Sequence, residues 1–332
     1  MANPSSKTAV AAAIVGNALV MVAKFVAFVF TGSGAMLSEA IHTLADLLNQ
    51  ILLMVGIVRS ARDPDHIYEY GYQSERYVWA LISAVGIFFL GCGVTVYHAI
   101  ESLLHPKELK DLGWALGVLV FSLILEGIVL WIAVRAARQQ AGGKPLLHFL
   151  RHEADPAVTA VVLEDAAACL GVLIAFAAIV LSRVTGDPYW DAIGSLIIGL
   201  LLGAIAIWLI ARNSSLLVGA SIPDSIRRQV LKIIEDDPAV EEVVDLKTRI
   251  LDTDTYRIKA DIHFDGGALA DKLRPQLREA YEKIETFEHF ERFAQEFGDD
   301  IVDLLAEEID IIERRIRERV PQAKHLDLEA EM

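Results

Sequence analysis

The sequence predicts an all-α membrane domain of six helices followed by a small cytoplasmic α+β domain. Three observations carry that reading. Of 332 residues, 54% are hydrophobic and 23% charged, and the mean hydropathy is +0.42, above the range of an ordinary soluble chain. The apolar residues are gathered into runs of about 20 or more, enough to cross a hydrocarbon core of about 30 Å as a helix. The charge is unevenly divided: residues 1–211 hold 12 Lys+Arg and 16 Asp+Glu, a net of −4, and residues 212–332 hold 18 and 29, a net of −11. The first part is therefore expected in lipid and the second in water. A formal net charge of −15 argues against nucleic acid, whose phosphates call for a basic surface. Cys92 and Cys169, the two cysteines, both lie in apolar runs, so no disulfide framework is expected.

Six segments qualify as spans, at about 9–30, 36–58, 77–100, 113–137, 157–183 and 189–211. The first has neither a strongly basic leader nor a clear cleavage site, and reads as a retained helix rather than a signal or transit peptide. The connections after the first, third and fifth spans hold three basic residues, Lys107, Lys110 and Arg183. The other side holds nine: Lys7, Arg59, Arg62, Arg76, Arg135, Arg138, Lys144, Arg151 and Arg212. Basic residues concentrate on the cytoplasmic side, which puts both termini and the tail there. The short N-terminal stretch points to a bacterial inner membrane.

Ionisable groups inside spans are costly and usually functional. The second span holds Ser38, Glu39, His42, Asp46, Asn49 and Gln50, whose steps of three and four form one helical stripe. Such a stripe must face partner helices or a cavity. His42 and Asp46, one turn apart, suit a divalent metal of borderline softness; a polar packing stripe is the other reading. The fifth span adds Glu164 and Asp165, the latter two to three turns inside, with Asp155-Pro156 as ordinary start signals. In the first span Asn17 and Lys24 share a face; Lys24 is expected to snorkel or to pair with a buried carboxylate. Glu126, alone in the fourth span, reads either as that partner or as a proton relay. Asp191, Ser195, Gly199 and Gly203 recur at four-residue steps in the sixth, a close-packing face. His98 and His105 carry no signal.

The tail opens with a helix from Pro223 to about Glu235, ended by Asp236-Asp237-Pro238. Val240–Ile250 and Thr255–Phe264 alternate as strands around a turn at Asp252–Asp254. Helical periodicity runs from about Ala268 to Glu285, then from Phe287 to Arg319 with a break near Gly298; Pro321 stops it, and Lys324–Glu329 is a last short strand. The order αββαβ suggests a ferredoxin-like arrangement. His263, His325 and Asp327 fall on strands that could be neighbours, where polar surface residues are the plainer reading.

The string from Gly32 to Asp46, GSGAMLSEAIHTLAD, resembles the signature of the cation diffusion facilitators. Leu81–Phe88, Leu163-Glu164-Asp165 and Lys324–Glu329 resemble the branch that contains the animal mitochondrial zinc exporter. The resemblance covers essentially the whole chain. It implies a homodimeric metal-cation/proton antiporter with a metallochaperone-like tail, zinc as the first candidate substrate, and iron(II), manganese or cobalt as alternatives. The metal is cargo; no resident cofactor is implied. The family's membrane site takes two ligands from the second span and two from the fifth. His42, Asp46 and Asp165 fall on three of those positions, and Val161 stands where the fourth is commonly histidine. Glu164, Cys169 or water would complete the set; Glu164 points about 100° away from its neighbour on a helix, whereas Cys169 lies one turn on from Asp165. A loop site near Tyr70-Gly71-Tyr72 is expected to be absent or weak, because tyrosine stands where histidine is needed. A tail site at His263, His325 and Asp327 looks partly kept.

Two rivals come from other classes. An intramembrane metallohydrolase would often use His-Glu-x-x-His, but His152-Glu153 is followed by Pro156 where the second histidine belongs. A metal-responsive scaffold without transport would not need the buried stripe of the second span.

Overall fold

The structure, a computed structural model, describes residues 4–106, 112–143, 145–152, 156–252 and 254–331, with side chains outside 4–16, 112, 151–152 and 156–160. Lys107, Lys110, Lys144, Glu153 and Asp155 lie outside the described residues, as do the side chains of Lys7, Arg151, His152 and Pro156. Two compact units divide at Val218/Gly219.

The first unit is helical: α1 (Pro4–Thr31), α2 (Gly34–Ser60), α3 (Glu75–Gly86), a π-helical segment (Ile87–Val94), α4 (Thr95–Leu104), α5 (Leu112–Ala141), α6 (Leu146–His152), α7 (Pro156–Thr185) and α8 (Tyr189–Val218). The last apolar helix thus runs past Ala211 to Val218, and the short α6 is an addition to the sequence reading. Five stretches among the described residues are long and apolar enough to cross a membrane: Gly34–Ser60, Glu75–Leu104, Gly113–Ala141, Val161–Thr185 and Tyr189–Val218. Within α1 the residues with described side chains form a shorter apolar stretch, Asn17–Thr31.

Small residues bring these helices together. Ala27, Ala35, Met36, Leu119, Val172, Ala175, Ile179, Ile198 and Leu202 form a core shared by α1, α2, α5, α7 and α8. In an apolar solvent, helix association depends on close packing rather than on expelling water. The four-step face of α8 does this. Ser195 Oγ lies 2.6 Å from Ser38 Oγ on α2. A Cβ on Gly199 would meet Val96 at 2.9 Å, and one on Gly203 would meet Cys92 Sγ at 2.8 Å. Both neighbours belong to the Glu75–Leu104 stretch, where Gly91-Cys92-Gly93 sits in the π-helical segment. Such widened turns often occur at functional sites, and the uniform helix expected over 77–100 is interrupted by one here.

Asp191, at the start of α8, caps α2. Its carboxylate accepts hydrogen bonds from Ser33 Oγ at 2.5 Å, from the Gly34 amide at 2.6 Å and from the Ala35 amide at 3.4 Å. Ser33 Oγ in turn accepts from the Met36 amide. A negative group at a helix N-terminus is favoured by the free amides and the macrodipole.

The second unit contains α9 (Asp224–Glu235), β1 (Val240–Asp252), β2 (Thr255–Phe264), α10 (Gly266–Lys272), α11 (Arg274–Tyr281), α12 (Phe287–Arg319) and β3 (Ala323–Ala330). The three-stranded sheet has the order β1-β2-β3, antiparallel then parallel. Tyr256, Ile258, Ala260 and Ile262 alternate inward from β2 onto Val230 and Ile234 of α9 and Ile312 and Ile316 of α12. The sequence reading needs two corrections. α12 continues through Gly298, where a Cβ would meet nothing within 4 Å, so that glycine costs only its propensity, about 1 kcal/mol. The break falls instead within Ala268–Glu285, because Pro275 is tolerated only in a first helical turn and α11 begins there.

Gly194 of α8 provides a test of the close approach. A methyl group there would lie 2.3 Å from the Ala178 Cβ of α7, and overpacking of this kind costs about 1–3 kcal/mol. Gly194→Ala is expected to lower the thermal midpoint of the detergent-solubilised protein. Gly113→Ala, with nothing within 4 Å of the new atom, is expected not to lower it.

Candidate metal centre

α2 carries the polar stripe inward. Ser38, Glu39, His42, Thr43 and Asn49 are buried, and α1, α3, α7 and α8 all pack against this helix. His42 Nε2 lies 3.2 Å from Asp46 Oδ2, one turn on. That contact is not aligned as a hydrogen bond, so both His42 ring nitrogens are buried without one, as are Gln50 Oε1 and Asp165 Oδ2. Buried polar atoms are normally satisfied, so the electron pairs of His42 and Asp165 are available to a cation.

α7 presents two carboxylates to this region. Asn49 receives a hydrogen bond from Ser83 at 2.9 Å and donates one to Glu164 Oε2 at 3.3 Å. Asp46 acts electrostatically on both Glu164 and Asp165, and His42 acts on Glu164. Cys169 is buried and lies within electrostatic reach of Asp165, Glu126, Glu39 and Lys24. Val161, one turn before Asp165, is half-exposed. Among the described residues, no three His, Cys, Asp or Glu side chains already form a closed metal-binding group. The His42–Asp46 pair and the α7 carboxylates are neighbours in an open arrangement.

Beside this region lies a second buried cluster. Lys24 Nζ donates to Glu39 Oε2 at 2.9 Å, Thr43 Oγ1 at 3.0 Å and Glu126 Oε1 at 3.0 Å. Lys24 of α1 thus joins Glu39 of α2 to Glu126 of α5. Glu39 also needs room on α7: a Cβ on Gly171 would lie 2.4 Å from its Oε1. The polar stripe was readable from residue spacing, but the Gly171 clearance and the Asp191 cap were not, because both depend on a distant helix.

Outside the spans, Asp65 organises the loop between α2 and α3. It accepts hydrogen bonds from the Tyr72 hydroxyl at 2.6 Å and from the Ile67 and Tyr68 amides at 2.9 Å. These bonds, the Tyr72 one foremost, hold its carboxyl below the usual range. Arg62 lies 4.3 Å over the Tyr72 ring.

In the tail, β2 and β3 are neighbours, but their register separates the three candidate residues. His325 pairs with Arg257 and Asp327 with Lys259. His263 lies six residues along β2 from Arg257, on the order of 20 Å at about 3.3 Å per residue. Within one chain, His263 therefore does not join His325 and Asp327. Asp327 faces Arg257 at 3.6 Å. Burial, with Arg257 and Lys324 beside it, pushes the His325 imidazole below its ordinary value.

Residues 10–218 match the family described as the cation efflux transmembrane domain. The chain belongs to the cation efflux family. It is 39% identical over 329 residues to the mitochondrial proton-coupled zinc antiporter SLC30A9 of Xenopus laevis, covering 96% of this chain and 58% of that protein. The human protein of the same name is 38% identical over 325 residues, covering 96% of this chain and 57% of its own. Metal tolerance protein C4 of Arabidopsis thaliana is 36% identical over 335 residues, covering 98% and 73%. The chain thus spans under two thirds of the length of the vertebrate relatives. As a cation efflux protein it is an integral membrane protein, and these relatives are named for antiport or metal tolerance rather than for enzymatic activity.

Removing one member of a buried ion pair leaves an uncompensated charge, a loss of about 3–5 kcal/mol. Lys24→Met should therefore lower the thermal midpoint sharply, since Glu39 and Glu126 would then face each other without a cation. Adding Glu39→Gln to Lys24→Met should recover part of the loss, because coupled sites are not additive.

Proposed function

We propose that the protein is a divalent metal cation/proton antiporter that exports zinc from the cytoplasm by alternating access. We also propose six spans, both termini in the cytoplasm, a bacterial inner membrane, and a homodimer joined through the tail. The observation that carries this reading is the set of buried, unsatisfied donor atoms on α2 and α7, His42 Nδ1 and Nε2 and Asp165 Oδ2, beside Asp46 and Glu164. The relatives' names favour zinc and proton coupling. Imidazole with carboxylates also suits iron(II), manganese and cobalt.

His42, Asp46 and Asp165 are the proposed ligands, and the hydrogen bond from Asn49 makes Glu164 the better-supported fourth over Cys169. The carboxylates cancel the charge of the ion, and together with the imidazole they replace its water. Each of these groups also binds a proton when the ion leaves, so metal and proton compete. The imidazole can carry a proton in place of the ion and so can take part in the coupling. Movement of helix groups around this site would expose it to each side in turn.

Proteoliposomes loaded with zinc test the reading. Flux is expected to rise with an opposing pH gradient and to move protons the other way. Asp46→Ala and Asp165→Ala should each cut flux by at least about tenfold, since losing even an outer-shell partner of a metal costs 10–100-fold. Zinc affinity should weaken as pH falls, because protons then compete for the ligands. Near-normal flux in either variant, or flux indifferent to the gradient, would overturn it.

A further inference from the structure

We propose that Gln50 is a further ligand of the transported cation, a neutral oxygen one turn beyond Asp46 toward the C-terminal end of α2. The inference rests on the antiport reading and deepens its site.

Gln50 Oε1 is buried and has no hydrogen-bond partner. An amide oxygen in that state has lost its water without replacement, which costs free energy. Native proteins keep few such atoms, and a bound ion or water is a usual reason for those they keep. Within the polar stripe of α2, the described residues with such atoms are Glu39, His42 and Gln50. Glu39 is answered through its other oxygen by Lys24 at 2.9 Å, and His42 is a proposed ligand, so Gln50 is the member left without a role. Lys24 does not supply one. Its three ammonium hydrogens already go to Glu39, Thr43 and Glu126.

Position connects the orphaned oxygen to the metal site. Gln50 follows Asp46 by four residues, and Asp46 follows His42 by four. Those steps set the three side chains in order along one face of the helix, about 6 Å apart along its axis. With both termini in the cytoplasm, α2 also ends there, and an incoming ion meets Gln50 before Asp46 and His42. The chemistry suits that order. Asp46, Asp165 and Glu164 already bring three carboxylates to a doubly charged ion, and one more would add repulsion in the empty site. An amide oxygen adds a donor with neither charge nor affinity for protons, and oxygen donors of this kind bind first-row divalent ions beside imidazole and carboxylate.

Equilibrium zinc binding to the full-length detergent-solubilised protein tests the proposal. Gln50→Leu removes the oxygen and leaves an apolar side chain in its place. It should weaken zinc by at least about tenfold, the scale on which even an outer-shell partner matters. The factor should be the same at every pH, because the lost group takes up no proton. The thermal midpoint of the metal-free variant should not fall, since an unsatisfied buried oxygen has been removed. Gln50→Glu should keep zinc binding at high pH and steepen its loss as pH falls, because the new carboxylate binds a proton when the ion leaves. Unchanged zinc affinity in Gln50→Leu would overturn the inference and leave the antiport reading standing. Weaker binding together with a lower metal-free midpoint would make Gln50 a packing residue and overturn it as well. If Gln50→Leu does not fold, Gln50→Glu decides: a pH dependence no steeper than that of wild type would overturn the proposal. A wild-type chain that binds no zinc would overturn both readings.

Discussion

Everything in the membrane unit is arranged around the cost of holding charge away from water. α2 carries two acidic side chains and a histidine into an apolar helix bundle, and that helix is tolerable only if its neighbours answer it. Lys24 of α1 answers Glu39 at 2.9 Å. Asn49 of α2 holds Glu164 of α7, and is itself held by Ser83 of α3. These ties come from three helices and converge on α2, so its register against the others is specified by polar contacts as well as by packing. An ion pair of this kind adds little net stability over an apolar substitute. Its value lies in the penalty for any arrangement that leaves one partner alone.

The glycines serve the same end from the other side. α8 approaches α7 at Gly194 and the π-helical segment at Gly203, where Cβ positions fall 2.3 and 2.8 Å from Ala178 and Cys92. At that spacing Ser195 reaches Ser38, and Asp191 reaches the free amides at the start of α2. The helix that carries the site is thereby fixed in height by α8 at its N-terminal end and in rotation by α1 and α7 further along. Gly171 extends the pattern, since a side chain there would displace the Glu39 carboxylate and with it the Lys24 cluster.

How much of this was readable from the sequence follows from how far each effect reaches. The stripe on α2, the alternation on β2 and the buried role of Lys24 depend on residue spacing and on the price of burying charge, both local, and the structure places them as expected. The partners were harder. Asp191 caps a helix that begins 157 residues earlier, and its four-residue step with Ser195 signals packing without naming what it packs on. Gly298 and Pro275 were weighted wrongly for a physical reason. A glycine inside a long helix costs only its propensity, whereas a proline inside a helical pattern removes a donor and clashes with the preceding turn. His263 and His325 looked like companions because strands can be recognised from sequence and their register cannot.

The contrast between the two units bears on where metal chemistry can reside. On β2 and β3 of the tail, Lys259 pairs with Glu329 at 2.8 Å and Asp327 faces Arg257, all partly open to water. Acidic groups there already have cations beside them, and water satisfies what remains. In the helical unit, by contrast, His42 Nδ1 and Asp165 Oδ2 are buried without a hydrogen bond, a state that costs free energy in the empty protein. Such a cost is worth keeping only where an incoming ion or proton removes it. An ion that relieves it must also be able to leave, and an open arrangement of four donors, rather than a closed group, lets the same atoms return to protons. The tail's charge ladder has no such need, which is why the proposed transport chemistry belongs to α2 and α7.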